Sequence, residues 1–136
     1  MNKALPQRDY QAMAAFRYGL RKFLRFSKDF LAEVDLTPEQ YEVLLALTAY
    51  SPKAGLVIRE LSEQLQVKHH TAVSLIDRLV RQKLVTRQRD ALDRRKVHVR
   101  LTASGTALTC RLASVHRDTL RKLVPELSTA LNRIKS

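Results

Sequence analysis

At 136 residues, with 45% hydrophobic and 28% charged side chains, the chain is long enough to bury a core as one domain and is excluded from the disordered class. Twenty-five Lys and Arg against 13 Asp and Glu leave a formal net charge of +12, which points to a polyanionic partner, either nucleic acid or an anionic membrane surface. The longest unbroken apolar run, Val43-Leu44-Leu45-Ala46-Leu47, is far short of the ~20 residues of a membrane span.

The N-terminus, Met1-Asn2-Lys3-Ala4-Leu5-Pro6, lacks the apolar core of a signal peptide, so no membrane partner and a cytoplasmic location are expected. From Tyr10 to about Val34 the positions Phe16, Leu20, Phe23, Ser27, Phe30 and Val34 alternate steps of four and three, which predicts one long amphipathic helix. Thr37-Pro38-Glu39-Gln40 reads as a capping box with proline at the first helical position, opening a second helix that runs to about Tyr50. Ser51-Pro52-Lys53-Ala54-Gly55 is a turn, Leu56-Val57-Ile58 a short strand, and Arg59 to Gln66 a third helix.

A fourth helix follows almost at once, from about His69 to Gln82. Two short helices joined by a tight turn, the second with polar residues outward, form a helix-turn-helix pattern. Next, residues 85–101 hold two short runs of alternating β-branched residues around Asp93-Arg94-Arg95-Lys96, which predicts a β-hairpin with a basic tip. Residues 81–100 carry eight Lys or Arg against Asp90 and Asp93, so +6 of the +12 sits in this block. Thr102 is placed to cap a fifth helix through Leu108, Leu112, Val115, Thr119 and Leu123; Pro125 is expected to end it, with Leu127, Leu131 and Ile134 on a last short helix. The terminal helices carry more apolar surface than the central lobe covers, and pairing with a second copy accounts for it.

The order of helix, strand, Arg59 to Val67, a second polar-faced helix, Leu84-Val85 with Arg87, Asp93-Arg94-Arg95, and Val99-Arg100-Leu101-Thr102 with Gly105 resembles the MarR family of bacterial winged helix-turn-helix regulators. The resemblance implies a mainly α fold with a small β-hairpin wing. A single domain over 1–136 then places a winged helix-turn-helix lobe at 37–101 between dimerisation helices at 10–34 and 102–136. It implies a homodimer that binds a pseudopalindromic operator in double-stranded DNA as a transcriptional regulator, and a repressor is the expected role of this chain. The competing class is a non-specific nucleoid or RNA-binding basic protein. Three positions depart from the family pattern: Gln66 and Lys83 stand where glycine is common, and Lys68 stands where Ser or Thr commonly caps the recognition helix, although lysine there gains a phosphate contact.

On the recognition helix, a wheel with Val73 inward turns Thr71, Ser74, Leu75, Arg78 and Gln82 outward, with His70 at the border. His70, Thr71 and Ser74 are candidates to read base edges, Leu75 to meet a thymine methyl, and Arg78 to pair with guanine or phosphate. In the wing, the resemblance assigns Asp93 to holding an arginine by ion pairing and assigns the minor-groove arginine to Arg95 or Arg94. Arg87, Arg89 and Lys96 then read as phosphate contacts. The family often binds a small aromatic or anionic effector between the dimerisation helices and the winged lobe, where Tyr10, Arg17, Tyr41 and Tyr50 are the candidates, with ordinary packing or surface groups as the alternative.

No cofactor, metal site or enzymatic activity is expected. Cys110 is alone, which rules out an intrachain disulfide and a cysteine-based zinc finger, and it reads as a small core residue. His69, His70, His98 and His116 lack ligand spacing on a common helix. Gly-rich phosphate loops and nucleophile elbows are missing from the sequence, and the basic residues are not interleaved with aromatics, which disfavours single-strand stacking surfaces.

Overall fold

A computed structural model describes residues 3–135. Five helices, α1 (Gln7–Ala32), α2 (Pro38–Tyr50), α3 (Ile58–Leu65), α4 (His69–Arg81) and α5 (Ala103–Lys135), accompany three strands, β1 (Leu56–Val57), β2 (Val85–Arg89) and β3 (Val97–Leu101). The chain forms two compact units, one combining α1 up to Phe30 with α5 from Ser114 onward, the other running from Leu31 to Ala113.

In the unit built from α1 and the distal part of α5, Ala12, Ser27, His116 and Ala130 are buried. Ser27 Oγ and His116 Nε2 share a hydrogen bond at 2.9 Å. The rings of Phe23, Phe26 and Phe30 meet the imidazole edge-on, with centroids 5.6–6.0 Å away. Pro125 does not break α5, which continues through it to Lys135. A proline costs a helix one backbone bond and a steric clash. Here the same helix carries apolar side chains on both sides of it, and Thr129 Oγ1 donates to the Pro125 carbonyl at 2.8 Å. Cys110 is exposed rather than packed, because Thr109, Leu112 and His116 take the inward positions of α5.

The Leu31–Ala113 unit is the winged helix. Its core joins Leu36, Val43, Leu44 and Leu47 to Leu61, Ile76, Leu79, Val85 and Val99. The capping box is present: Gln40 N donates to Thr37 Oγ1 at 3.2 Å and Thr37 N donates to Gln40 Oε1 at 2.8 Å. The strands form one antiparallel sheet in the order β1-β3-β2, with Leu56 opposite Val99 and Arg87 opposite Val99 on the other side. Gly105 lets the start of α5 close on the residue that leads into β2, since a Cβ there would lie 2.0 Å from the Leu84 carbonyl oxygen. Thr102 Oγ1 accepts the Gly105 N–H at 3.0 Å and so caps α5.

Both positions that depart from glycine adopt the left-handed conformation, Gln66 with φ 54° and Lys83 with φ 63°, and Asp35 joins them with φ 58°. Each ends a helix in the same way. The N–H of the following residue reaches back across the last turn, Leu36 to Leu31, Val67 to Ser62 and Leu84 to Leu79, at 3.0–3.1 Å.

Candidate nucleic-acid interface

The buried stripe of α4 is Ala72, Leu75, Ile76 and Leu79, spaced three, one and three. This corrects the predicted wheel. Leu75 is only 9% exposed and faces the core, so it is not available to a thymine methyl, while Val73, the expected inward anchor, is only half-buried. The small side chain of Ala72 hid the true register, because a wheel weighted by side-chain size favours the valine beside it. His69, His70, Ser74, Arg78 and Arg81 are exposed and Thr71 is half-buried. Lys68 sits at the N-cap with extended backbone and no side-chain cap, which leaves its ammonium group free of the helix end.

The wing loop is tied by two carboxylates. Asp90 Oδ1 accepts the N–H groups of Leu92 and Asp93 at 2.8 and 3.1 Å, and Asp90 Oδ2 pairs with His98 Nε2 at 3.0 Å. The His98 bond, followed by the two backbone donors, lowers the Asp90 carboxyl to about 2. Asp93 Oδ1 accepts from both the backbone N and Nε of Arg95, at 3.1 and 3.2 Å, and these bonds lower its pKa as well. Across the loop Arg89 Nη1 donates to the Arg94 carbonyl at 2.9 Å, and Asp90 N to the Lys96 carbonyl at 2.9 Å. The Arg95 side chain is 91% exposed despite its partner, so its charge is presented outward on a fixed base.

Arg87 and Arg89 alternate onto one face of β2. Together with Arg95 and His69 they line a cavity of about 590 Å³ floored by Ile58, Val73 and Val97. A neighbouring depression of about 500 Å³ adds Arg59, Asp93 and Lys96. Four of the candidate residues, Arg87, Arg89, Arg95 and Lys96, therefore converge with Asp93 on the cleft between the start of α4 and the wing. Arg78 does not. It lies about two and a half turns along α4 and lines a separate depression with Arg81 and Gln82.

Several residues of this surface escape a reading by composition. Arg87 Nη1 donates to Asp77 Oδ1 of α4, which fastens the wing to the recognition helix. Asp90 and His98 organise the wing with Asp93, and an Asp three residues before another Asp at a hairpin tip was the available signal. Arg59 and His69 complete the basic cleft. Tyr10 and Arg17 belong to the α1 unit, Tyr41 and Tyr50 to the winged unit. Tyr41 is buried, whereas Tyr50 is exposed and lines a shallow cavity of about 330 Å³ with Glu42, Leu45 and Gln64. Burial, and then the nearby Glu39, raises the pKa of Glu42.

A helix pair followed by a basic hairpin, whose sheet is completed by a strand preceding the pair, defines the winged helix-turn-helix class. The model of the MarR family matches residues 34–96. The organic hydroperoxide resistance transcriptional regulator of Bacillus subtilis is 28% identical over 116 residues, 85% of this chain and 76% of the relative. The structure of Staphylococcus aureus MepR in complex with DNA matches with a TM-score of 0.75 and 31% identity, covering 86% of this chain and 85% of that one. PcaV of Streptomyces coelicolor, solved with its natural ligand, matches with a TM-score of 0.60 and 30% identity over 67% of this chain and 62% of that one. The chain belongs to the MarR family of transcriptional regulators. Among the described residues no helix is long and apolar enough to cross a membrane.

Proposed function

We propose that the protein is a sequence-specific repressor that binds double-stranded DNA as a homodimer on a pseudopalindromic operator. The observation that carries this reading is the exposed start of α4 standing beside the hydrogen-bonded basic wing, with His69, Arg87, Arg89 and Arg95 around one cleft. The leading turn of α4, with His70, Thr71 and Ser74, suits base edges in a major groove, and Lys68, Arg78, Arg87, Arg89 and Lys96 suit phosphates. Arg95 or Arg94 suits the neighbouring minor groove. MepR, similar in fold and sequence, forms a DNA complex, which supports the partner. The dimer is supported by exposed apolar side chains on the α1–α5 unit, among them Leu24, Val124, Leu131 and Ile134.

Nuclease footprinting on genomic fragments tests the proposal. The expected result is a protected two-fold symmetric site with half-sites about 10 bp apart. Uniform weak protection on every fragment would instead establish a non-specific nucleoid protein.

An effector belongs to the same reading, supported by the structure of PcaV with its natural ligand, and a small aromatic or anionic compound is the proposed class. Tyr10, Arg17, Tyr41 and Tyr50 are the proposed contacts. A thermal-shift screen of phenolic acids tests them: stabilisation lost in Tyr50→Ala supports the assignment, and stabilisation unchanged in all four alanine variants removes it.

A further inference from the structure

Leu92 stands at the wing tip 98% exposed, the most exposed large apolar residue of those described. It contributes nothing to the core, yet its backbone is fixed. The Asp90 carboxylate holds its N–H at 2.8 Å and that of Asp93 at 3.1 Å, an arrangement in which aspartate builds a local turn. A leucine on a mobile tip would spend binding energy on being ordered; here that ordering is already done within the fold. The residues that follow are Asp93, Arg94, Arg95 and Lys96. The tip is thus an apolar point followed by cations, whereas a wing that touched only phosphate would gain most from a cation or a hydroxyl at position 92.

We propose that Leu92 is a DNA-contacting residue that enters the minor groove beside Arg95 and packs on the apolar deoxyribose walls. This rests on the DNA-binding reading above. The minor groove is about 6 Å wide, and its sides offer C–H surface for a branched aliphatic group, while the narrow negative floor takes the guanidinium. Aliphatic side chains are used in this groove by other DNA-binding proteins. Insertion between base pairs carries an unstacking cost, which a short tip held from within its own loop does not recover by wrapping more DNA. The contact is sequence-tolerant in hydrogen bonding but sensitive to groove width, so it selects narrow A·T-rich flanks together with the arginine.

The test uses the full chain and the fragment protected in footprinting. Leu92→Ala and Leu92→Gln leave the fold intact because the side chain touches no core residue, and unchanged thermal unfolding confirms it. Each is expected to weaken binding about five-fold per wing, near twenty-five-fold for a two-winged complex, with the salt slope unchanged; Leu92→Met retains affinity. Arg95→Ala, by contrast, lowers the slope by about one unit. A 2-aminopurine placed under the wing stays quenched. If Leu92→Ala and Leu92→Gln bind like the unaltered chain while Arg95→Ala binds weakly, the leucine contact is overturned and DNA binding stands. A brightened 2-aminopurine overturns the wall contact in favour of insertion. Failure of the unaltered chain to bind any fragment overturns both readings.

Discussion

Arg87 of β2 donates a hydrogen bond through Nη1 to the carboxylate of Asp77 on α4. The two side chains are 43% and 38% exposed, so the pair is solvated. Its contribution to stability should be modest, about 0.2–1 kcal/mol in a double-mutant cycle. Its larger consequence is positional, because it fastens the wing to the recognition helix. Asp77 also places a negative charge on the proposed DNA face, where it partly cancels Arg87.

Asp77→Asn is therefore expected to raise affinity for all DNA sequences and steepen the salt dependence, and Arg87→Ala to lower both, by about one unit of slope. Titrations of operator and scrambled DNA across a salt series check this. Opposite or sequence-selective effects would mean that Arg87 acts only as a brace.

The wing should respond to acid. The folded Asp90 carboxyl titrates near 2 against an ordinary 3.8, held down first by His98 and then by the N–H groups of Leu92 and Asp93. A depressed carboxylate stabilises the folded state above its unfolded pKa, and that contribution disappears as the pH falls from there through the folded value. The amide protons of Leu92 and Asp93 are thus expected to lose protection between pH 3.8 and about 2. His98→Ala removes the largest cause, so the Asp90 titration followed by NMR should move upward. No movement would show that the two backbone donors suffice.

Helix termination offers a stability test. Lys83 ends α4 with φ 63° and Asp35 follows α1 with φ 58°, conformations that a Cβ disfavours. Lys83→Gly is expected to stabilise the fold by about 1 kcal/mol, a rise of roughly 3 °C in Tm. The converse change, Gly55→Ala, places a Cβ 2.3 Å from the Val99 carbonyl oxygen at φ 82° and should destabilise by more than that. Differential scanning calorimetry reads both. A destabilised Lys83→Gly would show that the lysine side chain contributes more than the strain it brings.

The dimer is tested on α5. Val124 and Leu131 lie on either side of Pro125 and are each about half exposed. Replacing both by Asp puts charge into any apolar contact they make and should convert dimer to monomer in sedimentation, with operator affinity collapsing in parallel. A double variant that remains dimeric and binds tightly would place the dimer contact elsewhere.

The local devices were readable from the chain alone because they depend on neighbours in sequence. The capping box Thr37–Gln40, the Thr102 cap, the turn at Gly55 and the hairpin around Asp93 all operate over two to five residues. Periodicity placed α1 to α4 within a few residues of their ends, and charge counting located the wing. What depended on packing was out of reach. The register of α4, Leu75 inward and Val73 toward the wing, is decided by which side of the helix meets α2 and the sheet, and a small Ala72 gives that side little hydrophobic signal. The continuity of α5 through Pro125 reflects tertiary support that outweighs one lost backbone bond. The third strand pairing of β1 with β3, the Asp77–Arg87 clasp and the union of His69 with Arg87, Arg89 and Arg95 join residues 10 to 43 positions apart. Sequence determined which groups the protein owns and the turns that hold them; only the closing of the sheet onto α4 decided which of them share a surface, because side chains distant in the chain are brought together by the burial of the core between them.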